Sequence, residues 1–173
     1  MLFRSPKSVS HEHTFSEDTR DASVLEGTLL RLSEMVGRRL REHQLHARTV
    51  QLRLRYSDFS TITRAQTLER STQLDNEIFQ AIRELFRKNW KAGREIRLLG
   101  VHTSGFDVAG ESGQLDLIGQ GTHQRWEQAL SAADKLRDKF GESTIVLGTS
   151  LKRNLRERVH EALPDRPGKK PKS

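Results

Sequence analysis

Cysteine is absent from the 173 residues, which removes disulfides, thiolate metal sites and cysteine nucleophiles together. That absence fits a reducing compartment, and the cytoplasm is the expected location. No apolar run approaches the ~20 residues that a bilayer-spanning helix needs, so no membrane partner is expected. The opening Met1-Leu2-Phe3-Arg4-Ser5-Pro6-Lys7 is too short and too polar for a signal peptide, and residues 1–7 read as a linker or truncation remnant. Internal repeats and glycine-rich phosphate loops are missing as well. So is any nucleophile–base or paired-carboxylate constellation, and no catalytic residue is assigned.

What is present is positive charge. Lys and Arg number 30 against 23 Asp and Glu, giving a formal charge of +7 and a sequence pI near 10.1. Such an excess favours anionic partners. Hydrophobic residues make up 34% and charged residues 31%, enough for one core of ordinary size. The sharpest pattern is Thr49-Val50-Gln51-Leu52-Arg53-Leu54-Arg55-Tyr56, where apolar and polar residues alternate. On a strand this puts Val50, Leu52, Leu54 and Tyr56 on one face and Gln51, Arg53 and Arg55 on the other. A sheet with that strand must cover its apolar back with helices and can offer its arginine front to a polyanion.

The flanking segments fit the same sheet. Ser8 to Phe15 alternates Val9, His11, His13 and Phe15 against Ser10, Glu12 and Thr14, a second strand. Glu17 to Asp21 reads as a polar turn, after which Asp21 or Ser23 can cap a helix. Leu25, Leu29, Leu32, Val36 and Leu40 then mark one helical face ending near His43. After the arginine strand, Asp58 to Leu68 forms a strand in a hairpin or bent continuation. A second helix opens at Asp75 or Thr72, with Ile78, Ile82, Leu85 and either Asn89 or Trp90 inward. Glu95 to Val101 is the fourth strand. The order strand, helix, strand, strand, helix, strand predicts an α+β fold, a four-stranded sheet with both helices on one face.

This domain spans residues 8–105, followed by a flexible linker over 106–121 and a helix–strand appendage over 122–152. In the appendage helix Trp126, Leu130, Ala133, Leu136 and Phe140 share one side, Gly141 stops it, and Thr144 to Leu147 is the strand. Residues 153–173 read as a basic tail expected to be disordered, in which Pro164 to Lys172 cannot bury a core.

Four stretches now resemble a known family in order and spacing: Lys7-Ser8-Val9-Ser10-His11-Glu12-His13-Thr14-Phe15, Tyr56-Ser57-Asp58-Phe59-Ser60-Thr61-Ile62-Thr63-Arg64, Thr67-Leu68, and Arg97-Leu98-Leu99-Gly100-Val101. They are similar to the little-finger domain, the impB/mucB/samB C-terminal type, of Y-family translesion DNA polymerases of the DinB or DNA polymerase IV kind. The likeness covers residues 7–105 and extends loosely to Leu151. It implies an open sheet lying against primer–template DNA, with Arg53, Arg55, Arg64 and Arg97 contacting phosphates and Ser60 and Thr63 as neutral donors. Phosphate contacts position a protein without reading sequence, as an enzyme acting at any site requires. The family's metal-holding acids lie in a palm domain upstream, where Mg2+ is expected. Nothing in this chain resembles that palm, so no cofactor is expected here, and the chain reads as part of a longer polymerase or a truncated reading of its gene, inactive alone.

Gln114-Leu115-Asp116-Leu117-Ile118 resembles the peptide by which bacterial polymerases dock on the sliding clamp, with Ile118 where an aromatic is usual. Leucines entering a preformed pocket would carry that contact, and a strand packed under the third helix is the alternative. His11 and His13 share a strand face without a third ligand and read as half-buried core histidines rather than a metal site. A freestanding single-strand RNA-binding module of similar order is the competing function, but its paired base-stacking aromatics are missing. A monomer is expected.

Overall fold

The computed structural model describes residues 7–108 and 120–141. Its elements are β1 (Ser8–Thr19), α1 (Ala22–Glu42), β2 (Leu45–Tyr56), β3 (Thr61–Thr72), α2 (Asp75–Asn89), β4 (Ile96–Val108) and α3 (Gln120–Phe140). The strands form one antiparallel sheet in the order β1-β4-β2-β3. The expected α+β order is therefore observed, with every strand longer than its sequence pattern indicated. Glu17 to Thr19, expected as a turn, stays in β1 beyond a register shift between Thr14 and Thr19.

Alternation decides which side of the sheet is covered. Val9 and Phe15 of β1, Val50, Leu52, Leu54 and Tyr56 of β2, and Leu99 and Val101 of β4 enter one core with Leu25, Leu29, Leu32, Val36 and Leu40 of α1 and Ile78, Ile82 and Phe86 of α2. Each fully buried Leu or Ile contributes about 1.5–3 kcal/mol relative to exposure. His11 and His13 are also buried, and the His13 ring meets Phe15 edge-on at 4.8 Å. Helix α1 starts as its residue types demand: the Asp21 carboxylate accepts hydrogen bonds from the Ser23 and Val24 N–H groups at 2.9 and 3.3 Å, satisfying donors the first turn leaves free. Helix α2 begins with Asp75 and Glu77 in its first turn, complementing the helix dipole.

Helix α3 docks differently from expectation. Of the residues on its apolar side Leu130 is buried, but Trp126, Leu136 and Phe140 are exposed. The reason lies in the surface it meets. Arg38 and Arg41 of α1, Gln73 before α2 and His46 of β2 present polar groups, and α3 turns its acidic side to them. Arg41 Nε and Nη2 donate to the two Asp134 carboxylate oxygens at 2.7 and 3.2 Å, Arg38 Nη2 to Asp138 at 2.5 Å, and Gln73 Nε2 to Glu127 at 3.2 Å.

A buried charge cluster sits at this junction. Arg41 Nη1 also donates to Asp75 Oδ1 at 2.6 Å and to the Gln73 carbonyl at 3.0 Å. The Arg41 and Asp75 side chains are only 8% and 2% exposed. Burial pushes the Asp75 carboxyl above its ordinary value, against the pull of Arg41. Burial alone would lower the Arg41 guanidinium, yet its bonds to Asp134 and Asp75 leave it raised. Gly37 makes the room: a Cβ there would overlap Asp75 Oδ1 and lie 3.2 Å from Arg41 Nη1.

Candidate nucleic-acid interface

The face opposite the core is read off the strand register. Gln51, Arg53 and Arg55 stand opposite Ala65, Thr63 and Thr61 of β3 on one side, and opposite His102, Gly100 and Leu98 of β4 on the other. Beyond β4, Ser10 and Glu12 of β1 pair with His102 and Gly100. The result is a central arginine row bordered by the hydroxyls of Thr61, Thr63 and Thr67, a set of donors suited to phosphate oxygens.

Its arginines differ in how they are held. Arg55 Nε donates to Thr61 Oγ1 at 3.1 Å, and among the described residues no carboxylate pairs with it. Arg53 Nη1 donates to Glu12 Oε1 at 2.9 Å, reaching across β4. Gly100 is what lets the carboxylate pass. A Cβ at that position would lie 3.0 Å from Glu12 Cγ and 3.2 Å from Glu12 Oε1, tight enough to push the side chain away. The same oxygen lies 3.0 Å from His102 Nε2. Arg97 falls in the register shift where Arg55 pairs with Leu98 but Tyr56 pairs with Ile96. An extra residue of this kind re-aims a side chain. Its Nη2 donates to Asp18 at 3.0 Å, and its guanidinium lies 4.4 Å from the Phe59 ring centroid.

Two of the six expected phosphate-binding residues are not brought to this face as free donors. Arg64 stands opposite Leu52, so it points to the helix side of the sheet, where Nε donates to Asn89 Oδ1 at 3.1 Å and Nη1 to the Thr63 carbonyl at 2.8 Å. Period-two alternation makes this unavoidable once Thr63 faces front. Ser60 is exposed, but its hydroxyl donates to Asp58 Oδ1 at 2.5 Å within the β2–β3 turn. The hydroxyl and N–H of Ser60, followed by Arg94, hold the Asp58 carboxyl below its usual value. Thr63 is exposed beside Arg53 as expected. Sequence reasoning missed Glu12 and Asp18, the acids that engage Arg53 and Arg97. The segment Gln114 to Ile118 lies outside the described residues, as do Thr144 to Leu147 and the basic tail. No group of three or more His, Cys, Asp or Glu able to hold a metal ion occurs among the described residues. No helix among them is long and apolar enough to cross a membrane.

Residues 6–117 match the profile of the impB/mucB/samB family C-terminal domain. The chain belongs to that family. Its curated relatives are DNA polymerases IV. Curated relatives include DNA polymerase IV of Clostridium kluyveri, 31% identical over 155 residues, covering 86% of this chain and 38% of the relative. A DNA polymerase IV of Mesorhizobium japonicum is 37% identical over 159 residues, covering 92% of this chain and 36% of the relative. The chain thus spans little more than a third of these relatives. Among solved structures, DinB from Sulfolobus solfataricus superposes with a TM-score of 0.51 at 13% identity, covering 58% of this chain and 29% of that one. A Y-family polymerase chimera gives 0.50 at 16% identity, covering 61% and 30%. At such identities the likeness speaks to the little-finger fold alone.

Proposed function

We propose that this little-finger domain grips primer–template DNA through the phosphate backbone on behalf of a translesion DNA polymerase during lesion bypass. One observation carries the reading: Arg53 and Arg55, two residues apart on β2, stand beside the exposed hydroxyls of Thr63 and Thr61 on the sheet face opposite helices α1 and α2. Backbone contacts of this kind hold DNA in register and carry no base information. With Arg64 on the far side of the sheet, the contacting set narrows to Arg53, Arg55 and Arg97, with Thr61 and Thr63 as neutral donors. Nucleotidyl transfer belongs in this reading to a catalytic part that the chain does not itself resemble. The reading also includes docking of Gln114, Leu115, Asp116, Leu117 and Ile118 on a bacterial sliding clamp, on the strength of their sequence pattern, by a cytoplasmic monomer.

Binding of the 173-residue chain to labelled primer–template, single-stranded DNA and RNA across a salt series tests it. Three neutralised phosphates give a log–log slope of about −2.7, and Arg53→Ala with Arg55→Ala should reduce it to about −0.9 while weakening all duplex sequences alike. A flat salt response, or preference for single-stranded RNA, would refute the reading in favour of an RNA-binding module.

A further inference from the structure

The turn between β2 and β3 displays a ring that the core does not use. Phe59 is 65% exposed and sits at φ 64°, a left-handed conformation that bulky side chains rarely adopt. The turn that imposes it is firmly closed. The Phe59 N–H donates to the Tyr56 carbonyl at 3.0 Å and the Tyr56 N–H to the Ser60 carbonyl at 2.9 Å. Asp58 accepts from the Ser60 N–H and pairs with Arg94 at 2.7 Å, whose guanidinium lies 3.9 Å from the Tyr56 ring centroid. Strain and exposure thus coincide in a residue whose ring meets the Arg97 guanidinium. Arg97 in turn is anchored by Asp18, so the ring is braced from one side and open on the other.

We propose that Phe59 is a stacking platform for an unpaired nucleotide of the bound DNA. This rests on the DNA-gripping reading and adds to it a contact of a different kind. The turn adjoins the Arg55–Thr61 pair, the last register pair before the strands part. A strand whose phosphate meets Arg55 and Thr61 therefore brings its neighbouring base to the ring. A duplex exposes phosphates, sugars and base edges but hides its base faces, so a flat ring finds a base to stack on only where the strand is unpaired. Arg97 behind the ring adds positive charge to the same spot, which suits a polyanion and disfavours a cationic partner.

The test measures binding of the full chain to a primer–template with a single-stranded overhang and to a blunt duplex of equal length. Phe59→Ala should weaken overhang binding about tenfold and blunt binding less than about twofold. The salt slope should not change, since no charge is lost. Phe59→Tyr should bind the overhang as the parent does. Phe59→Gly, which relieves the left-handed strain and so keeps the fold, should lose what the alanine variant loses. The proposal is overturned if Phe59→Ala matches the parent on overhang DNA, or loses equally on both substrates. Salt-dependent binding of the parent to blunt duplex reports separately on the arginine platform, so loss of one reading is told from loss of the other.

Discussion

Arg41→Ala removes a side chain that joins α1, α2 and α3 through charge. In the folded chain its guanidinium serves Asp75 and Asp134 at once and is almost wholly shielded from water. Without it, Asp75 remains buried beside Gly37 with its main counter-charge gone and one oxygen, Oδ2, already lacking a hydrogen bond. Breaking a buried pair in this way costs about 3–5 kcal/mol. For a domain of this size that corresponds to a melting point lower by about 12 °C or more. The pH dependence follows from the direction of the Asp75 shift. Its folded pKa lies above the unfolded value, so the native state holds the proton more tightly. The stability linked to that proton is complete below the unfolded pKa and is lost as pH rises through the folded one. Removing Arg41 raises the folded value further, so the variant suffers most at neutral pH and recovers on acidification. Asp58 is shifted the other way by Ser60 and Arg94, but it is unchanged in both proteins and cancels in the comparison. Urea unfolding followed by circular dichroism, at neutral pH and near pH 4.5, gives the difference directly. A parent–variant gap under about 1 kcal/mol at neutral pH, or a gap that does not narrow in acid, would refute the reasoning. Adding Asp75→Asn to Arg41→Ala should restore part of the loss, because no charge is then left stranded.

Two further changes probe the glycines that make room for carboxylates. Glu12→Gln removes the acid held against Arg53, so duplex binding should tighten while the log–log salt slope, which already counts Arg53, stays at about −2.7; an unchanged affinity would mean that Arg53 lies off the DNA path. Gly37→Ala drives a methyl into Asp75 and should lower stability by about 1–3 kcal/mol, as overpacking does, measured by the same urea titration; a variant as stable as the parent would show that α1 and α2 can separate freely.

The core was legible because burial imposes a period on the chain. Leu25 through Leu40 at helical spacing, and Val50 through Tyr56 at strand spacing, occupy the buried positions their patterns indicated. The arginine row on β2 was legible for the same reason. Its ionic partners were not, because Glu12 meets Arg53 only when β4 lies between β1 and β2, and strand order leaves no local trace. Arg64 and Thr63 were read onto one face, although neighbours on a strand point to opposite faces whatever the register. Helix α3 misled for a different reason. Its apolar stripe is regular, but Arg38 and Arg41 offer a charged seat, and Asp134 and Asp138 match it better than Trp126 or Phe140 would. Phe59 carried a signal that was read as strand. The short polar run Ser57-Asp58 before it is a turn, and its closing bonds force the aromatic outward.

Glu12, Gly100 and Arg53 stand in one line across β1, β4 and β2, and that line bears on how the sheet is put together. Among the described residues β1 pairs with β4 alone, so this first strand of the sheet waits for the fourth before it can be seated. Contacts so distant along the chain form late. A slip of one residue at that moment would turn Glu12 toward the leucines of the core and His11 or His13 toward water. In the observed alignment an acid faces a gap with a base beyond it. The late strand therefore finds its place by a keyed charge, and the key slot is a missing side chain.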